Sequence, residues 1–152
     1  ISGSASAVGL MCLQVFNKQN KLDYKQLKNY AESLGSAFQK INFLRDISED
    51  YNVLNRVYFP NLNISSFENS QKEIIENDIA QDFSNALKGI KLLNVNAQQG
   101  VYLAYLYYIA LFDKIKEIDA KEILKKRIRI SNFRKVMITV FALIRVKTGF
   151  IS

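Results

Sequence analysis

Apolar residues recur every three or four positions through long stretches of this 152-residue chain, and that period leaves little choice of fold. Ile74, Ile75, Ile79, Phe83, Leu87 and Ile90 make one such stripe, and Val101, Tyr102, Tyr105, Tyr108, Ile109 and Phe112 make another. Pro60 is the single proline, and no segment shows the sustained two-residue alternation of a half-buried strand. The spacing predicts helices over about 4–17, from a cap at Asp23 to near Asn52, and over about 71–93, 97–117 and 131–147. Polar turns are expected at 18–21 and 94–96, an irregular stretch around Tyr58 to Pro60, and a capping box from Ser65 to Glu68. One all-α domain, a bundle of long helices, is the economical reading.

The second of these helices carries the chemistry. Asn42, Asp46 and Asp50 stand at i, i+4 and i+8, so they share one face, with Arg45 and Glu49 beside them. Leu34, Ala37, Phe38, Ile41 and Leu44 form the apolar side that turns toward a core. Carboxylates one turn apart suit Mg²⁺, a hard cation that takes few protein carboxylates and fills its remaining positions with water and substrate phosphate. A bare DxxxD is equally a solvated helix face with i, i+4 charge pairs, so the flanking residues decide.

Those flanks are specific. Leu34-Gly35-Ser36-Ala37-Phe38-Gln39-Lys40-Ile41 leads into the acidic stripe, and Asn55-Arg56-Val57-Tyr58-Phe59-Pro60 follows it. From Leu34 to Pro60 the chain resembles the squalene and phytoene synthase family, whose second aspartate-rich motif reads roughly LGxAxQxxNxLRDxxED followed by GRxYxP. Asn55 stands where the family usually has Gly, a mild departure because Asn also tolerates a left-handed turn. Ser2 to Met11 resembles the family's small-residue helix beside the substrate channel. Residues 107–115 resemble a late helix that brings a tyrosine near the diphosphates, with Tyr108 the best match, and Arg127 to Ser131 with Lys135 resemble a basic closing segment.

The resemblance implies the all-α isoprenoid synthase (terpenoid synthase) fold, with residues 1–152 as the C-terminal part of a single domain whose first aspartate-rich motif lies upstream. It implies a prenyltransferase that joins two prenyl diphosphates head to head through C1′ with Mg²⁺, or Mn²⁺, as cofactor. Asp46 and Asp50 are then the metal ligands and, with Tyr108, the catalytic residues. Arg45 and Arg56 would bind diphosphate, Gln39 and Asn42 would orient the cluster, and the small residues from Gly3 to Gly9 would leave room for the tails. Leu10, Phe38 and Ile41 would line the pocket. The expected product is 15-cis-phytoene from geranylgeranyl diphosphate, without NADPH, since no Gly-rich dinucleotide fingerprint occurs. Squalene or dehydrosqualene synthesis from farnesyl diphosphate is the alternative, and a non-catalytic helical homologue acting as a binding module is the rival of a different class.

Composition narrows the remaining classes. The absence of histidine removes the commonest general base, the Ser-His-Asp arrangement and most zinc chemistry from this stretch. Neither GxGxxG nor a P-loop occurs, so phosphate must be held through metal and side chains. Cys12 is alone and is expected to pack as a small core side chain in a reducing compartment. The remaining tyrosines at helical spacing are expected to be core. The net charge of +7 and the dense patch Lys125, Lys126, Arg127 and Arg129 fit a diphosphate or an anionic membrane surface more simply than nucleic acid, for which no recognition motif is present. The small apolar run 3–16 lacks the charged leader of a signal peptide, and the run from Val136 to Ile144 is too short to span a bilayer. A cytoplasmic location with peripheral contact at the inner membrane surface is expected.

Overall fold

The computed structural model describes residues 2–17, 24–54, 67–149 and 151, and within them the side chains of 7–15, 24–48, 67–149 and 151. These residues form six helices: α1 Ser2–Asn17, α2 Tyr24–Leu54, α3 Asn69–Leu92, α4 Val95–Lys116, α5 Ala120–Ile123 and α6 Asn132–Thr148. No strand occurs among the described residues, as the helical period predicts. The long α2 is the organiser: α1 and α3 pack on it, α4 also touches it, and α6 lies on α4.

The core follows the apolar stripes. Ile41, Leu44 and Ile47 of α2, Ile79 and Phe83 of α3, and Tyr102, Leu111 and Ile115 of α4 are all buried. Phe83 sits edge-on to Tyr105 at 5.4 Å between ring centroids and tilted against Phe38 at 6.4 Å, joining three helices through aromatic contacts. Burial, and then the neighbouring Tyr102, raise the Tyr105 hydroxyl above its ordinary pKa, as suits a tyrosine built into the core. Two glycines permit the closest helix approaches. A Cβ on Gly9 would stand 2.5 Å from the Ala31 carbonyl oxygen, and one on Gly89 would land on the Cβ of Tyr30. The missing side chain of Gly9 thus lets α1 pack directly on the backbone of α2.

Polar ties fix the helix ends and offsets. Lys40 of α2 reaches Asp78 at 2.5 Å and Asp82 at 2.7 Å, acids one turn apart on α3. Burial lowers the Lys40 pKa, but the two carboxylates outweigh it and hold the ammonium above the ordinary lysine value. Gln71 Oε1 accepts a 3.3 Å hydrogen bond from the Glu68 amide, so Glu68 caps α3, and the expected caps at Ser65 and Asp23 lie outside the described residues. Asn94 Oδ1 accepts from the Ala97 amide at 2.9 Å, so the expected break at 94–96 falls instead at two capping residues, Leu93 ending α3 and Asn94 opening α4. Ser131 caps α6 through the Arg134 amide at 3.3 Å, and Gly149 ends it at φ 73°, where a glycine is the natural stop.

The four-residue α5 is too short to show a period in sequence; Asn69 holds it, donating to Asp119 at 3.0 Å and accepting from the Ala120 amide at 2.8 Å. Cys12 is exposed instead of buried, on the open side of the cleft between α1, α2 and α3. No described helix is long and apolar enough to cross a membrane.

Candidate functional site

Asp46 is the centre of a two-arginine clamp. Its neighbour Arg45 donates in a forked pair, Nε to Oδ1 at 3.0 Å and an Nη to Oδ2 at 2.5 Å. Hydrogen bonding to Asp46 is the main reason that the Arg45 guanidinium titrates above its ordinary value, despite burial acting the other way. The second guanidinium belongs to Arg127, with Nε 2.8 Å from Oδ1 of Asp46. Arg127 gets there through the irregular segment after α5. Ile128 and Ile130 are buried while Arg127 and Arg129 stay outside, and the Ile128 amide donates to the Arg45 carbonyl at 3.4 Å. Lys114 Nζ donates to the Arg129 carbonyl at 2.7 Å, tying the segment to α4 as well.

One turn before Asp46, Asn42 Oδ1 accepts a 3.0 Å hydrogen bond from the hydroxyl of Tyr108. The Tyr108 ring stacks on Phe38 with centroids 3.8 Å apart and planes 15° from parallel. Tyr107 meets it edge-on at 5.8 Å, and the Lys135 ammonium lies 5.9 Å from the Tyr107 ring centre. An aromatic wall therefore runs from α2 to α4 and ends in a cation from α6. Gln39, half-buried, lies one turn ahead of Asn42 on α2. An apolar cleft of about 70 Å³ opens between α1, α2 and α3, lined by Gly9, Leu13, Ala31, Leu34 and Gly89.

The expected site residues thus divide into groups. Asn42 and Tyr108 are joined directly, Arg45 and Asp46 are joined directly, and Gln39 stands beside them on the same helix. The backbone of Asp50 continues α2, but its side chain, like the whole of Arg56, lies outside the described residues. Arg127 belongs to the basic segment singled out in the sequence, yet nothing there linked it to Asp46. The clue was the alternation Arg-Ile-Arg-Ile, which in extended backbone puts both arginines on one side.

Among the described residues no three His, Cys, Asp or Glu side chains gather closely enough to hold a metal ion. The donors that are present nonetheless match a hard dication in kind. The Asp46 carboxylate and the Asn42 amide carbonyl are oxygen donors of the kind a hard dication takes, one turn apart, and they are held here by Arg45 and Arg127 and by the Tyr108 hydroxyl respectively.

Known proteins resemble this chain in sequence. The sequence model of the squalene/phytoene synthase family matches residues 1–134. A chloroplastic phytoene synthase from an Oncidium hybrid cultivar is 29% identical over 150 residues, 88% of this chain and 36% of that protein. The 15-cis-phytoene synthase of Synechococcus elongatus is 27% identical over 130 residues, covering 76% of this chain and 42% of its own length. The 4,4'-diapophytoene synthase of Staphylococcus haemolyticus is 24% identical over 149 residues, 88% of this chain and 50% of that protein. The chain spans half or less of the length of these relatives. A motif helix, an all-helical bundle and a match along most of the sequence agree, and the chain belongs to the squalene/phytoene synthase family, with that family's all-α isoprenoid synthase fold.

Proposed function

We propose that the protein carrying this chain condenses two prenyl diphosphates head to head, and that geranylgeranyl diphosphate is the substrate and 15-cis-phytoene the product, as a step of carotenoid biosynthesis. The chain supplies the C-terminal part of the domain, with a first aspartate-rich motif upstream. The observation that carries this reading is the Arg45–Asp46–Arg127 clamp one turn from the Asn42–Tyr108 pair. An anionic, doubly forked ligand with an allylic tail is what such a set would bind.

Asp46 and Asp50 would hold Mg²⁺, or Mn²⁺, which would supply Lewis-acid neutralisation of a departing diphosphate. Arg45, Arg127 and Arg56 bind phosphate oxygens through planar guanidinium forks. Gln39 and Asn42 orient this polar cluster, and Asn42 fixes the Tyr108 hydroxyl. The faces of Phe38 and Tyr108 suit an electron-poor allylic carbon, because ring quadrupoles attract positive charge. Peripheral contact with a membrane fits enzymes whose substrates and products partition into lipid.

The deciding experiment supplies the full-length protein and Mg²⁺ with geranylgeranyl or farnesyl diphosphate, without NADPH. A C40 hydrocarbon with the near-ultraviolet absorbance of a conjugated triene is expected. A second reading, C30 synthesis from farnesyl diphosphate, is favoured by the similarity to a diapophytoene synthase. A C30 triene would select it, a product that needs NADPH and lacks the triene would indicate squalene, and no product from either substrate would favour a non-catalytic binding module.

A further inference from the structure

We propose that Tyr30 sets the length of prenyl tail that the protein accepts, by closing the far end of the apolar cleft between α1, α2 and α3. The inference rests on the condensation reading above and names the side chain that measures its substrate. Two helices lead from the polar site to this cleft. On α2, Asn42, Phe38, Leu34 and Tyr30 follow one another in four-residue steps, a single slowly turning row. On α4, Tyr108 and Val101 are seven residues apart, so they share a face two turns apart. At one end of both rows the Tyr108 hydroxyl donates to Asn42 and its ring stacks on Phe38. At the other end Leu34, Val101 and Tyr30 all line the cleft.

The distances match a tail of one length. Tyr30 stands twelve residues before Asn42, about 18 Å along the helix axis, and Leu34 eight residues before it, about 12 Å. At about 1.25 Å of advance per carbon–carbon bond, a geranylgeranyl chain of about 15 main-chain bonds extends about 19 Å and a farnesyl chain of about 11 extends about 14 Å. A tail whose first carbon lies level with Asn42 therefore reaches Tyr30 if it has four isoprene units and ends just past Leu34 if it has three. The cleft has a volume of about 70 Å³, room for about five methyl-sized groups, which is the size of one isoprene unit. Its walls are built from core side chains, with Leu27, Ala86 and Ile90 buried. Tyr30 is seated against bare backbone of α3, since a Cβ on Gly89 would stand 2.3 Å from the Tyr30 Cβ. The pairing of a large residue at 30 with glycine at 89 thus fixes the tyrosine at the height where a fourth unit ends.

The test compares the full-length protein with Tyr30→Ala, Tyr30→Phe and Val101→Phe, measuring kcat/KM for the C15, C20 and C25 allylic diphosphates with Mg²⁺ and the mass of each product. The parent should favour the C20 substrate. Tyr30→Ala lengthens the cleft and should raise the ratio of C25 to C20 turnover about tenfold or more, the usual discrimination of an apolar pocket. Val101→Phe fills the cleft from α4 and should move the ratio of C20 to C15 turnover toward C15 by a similar factor. Tyr30→Phe keeps the ring and should match the parent. If Tyr30→Ala does not fold, the Val101→Phe ratio decides. A parent that turns over none of the three substrates would remove the condensation reading and this inference with it. A parent that prefers the C15 substrate would remove the inference alone, and so would parental ratios in the folded variants. Parental ratios with a lowered unfolding temperature in Tyr30→Ala would mean that another part of the protein fills the cleft and that Tyr30 only packs against it.

Discussion

Arg127 Nε lies 2.8 Å from Oδ1 of Asp46, so the segment that follows α5 is anchored to the acidic face of α2 by a carboxylate that Arg45 also holds. Replacing that carboxylate has two separable effects. Asp46→Asn leaves Arg45 and Arg127 facing each other without their shared anion, and thermal melts should record a loss of about 1–2 kcal/mol, as for hydrogen bonds to charged groups at partly exposed positions. Turnover of the full-length protein should fall on the order of 10²-fold or more, the usual scale for losing electrostatic stabilisation of a transition state. Asp113→Asn, exposed on α4, should change neither quantity. Wild-type turnover by Asp46→Asn at saturating Mg²⁺ would remove Asp46 from the mechanism.

Tyr108→Phe isolates the hydroxyl. The ring keeps its stack on Phe38, while Asn42 loses its donor. Stability should drop by about 1 kcal/mol or less. If the Tyr108–Asn42 pair orients substrate, kcat should fall about tenfold or more with the melting curve almost unmoved. Equal proportional losses in stability and activity would reduce the pair to a structural contact.

Gly89 and Gly100 should respond in opposite directions to the same change. Alanine at 89 would drive its Cβ into Tyr30 and push α3 from α2, at a cost of about 1–3 kcal/mol. At 100 no atom lies within 4 Å of the new methyl, so the helix preference for alanine should stabilise by about 0.5–1 kcal/mol. Chemical denaturation of the two variants beside the parent measures both, and the same sign in each would contradict the packing described.

Lys40 links stability to alkaline pH. Its pKa is raised in the folded state, so its contribution is complete below the ordinary lysine value of 10.5 and is lost as pH rises through the higher folded value. The unfolding temperature should therefore decline more steeply above that value in the parent than in Lys40→Met. Parallel declines would show that the ammonium is not coupled to Asp78 and Asp82. The variant itself should be less stable at neutral pH, since it leaves two acids one turn apart without their cation.

Where the apolar period runs long, the fold is readable in advance. The stripe from Ile74 to Ile90 implied a helix over 71–93, and α3 occupies Asn69–Leu92. The Asn42–Asp46 register on α2 follows directly from helix geometry, and Tyr108 was picked out by its resemblance to a family helix. What escaped the sequence are contacts with no local signature. Arg127 reaches Asp46, and Lys40 reaches Asp78 and Asp82, only because the bundle brings distant segments together. The four residues of α5 are too few to show periodicity, and residue preference does not say that Cys12 faces the open side of the cleft.

The Lys40 tie also governs motion. An ammonium held between two acids one turn apart resists shear both ways, because sliding α2 along α3 toward one acid draws it from the other. A slip to the next equivalent position would be a full turn, roughly 5.4 Å. Lys40 stands two residues before Asn42 and six before Asp46, so the same pin sets the axial height of both site residues against α3. On its other side α2 is held to the segment after α5 through the Arg127–Asp46 ion pair and the Ile128–Arg45 backbone hydrogen bond, so the pin at Lys40 and these ties together fix α2 between its neighbours.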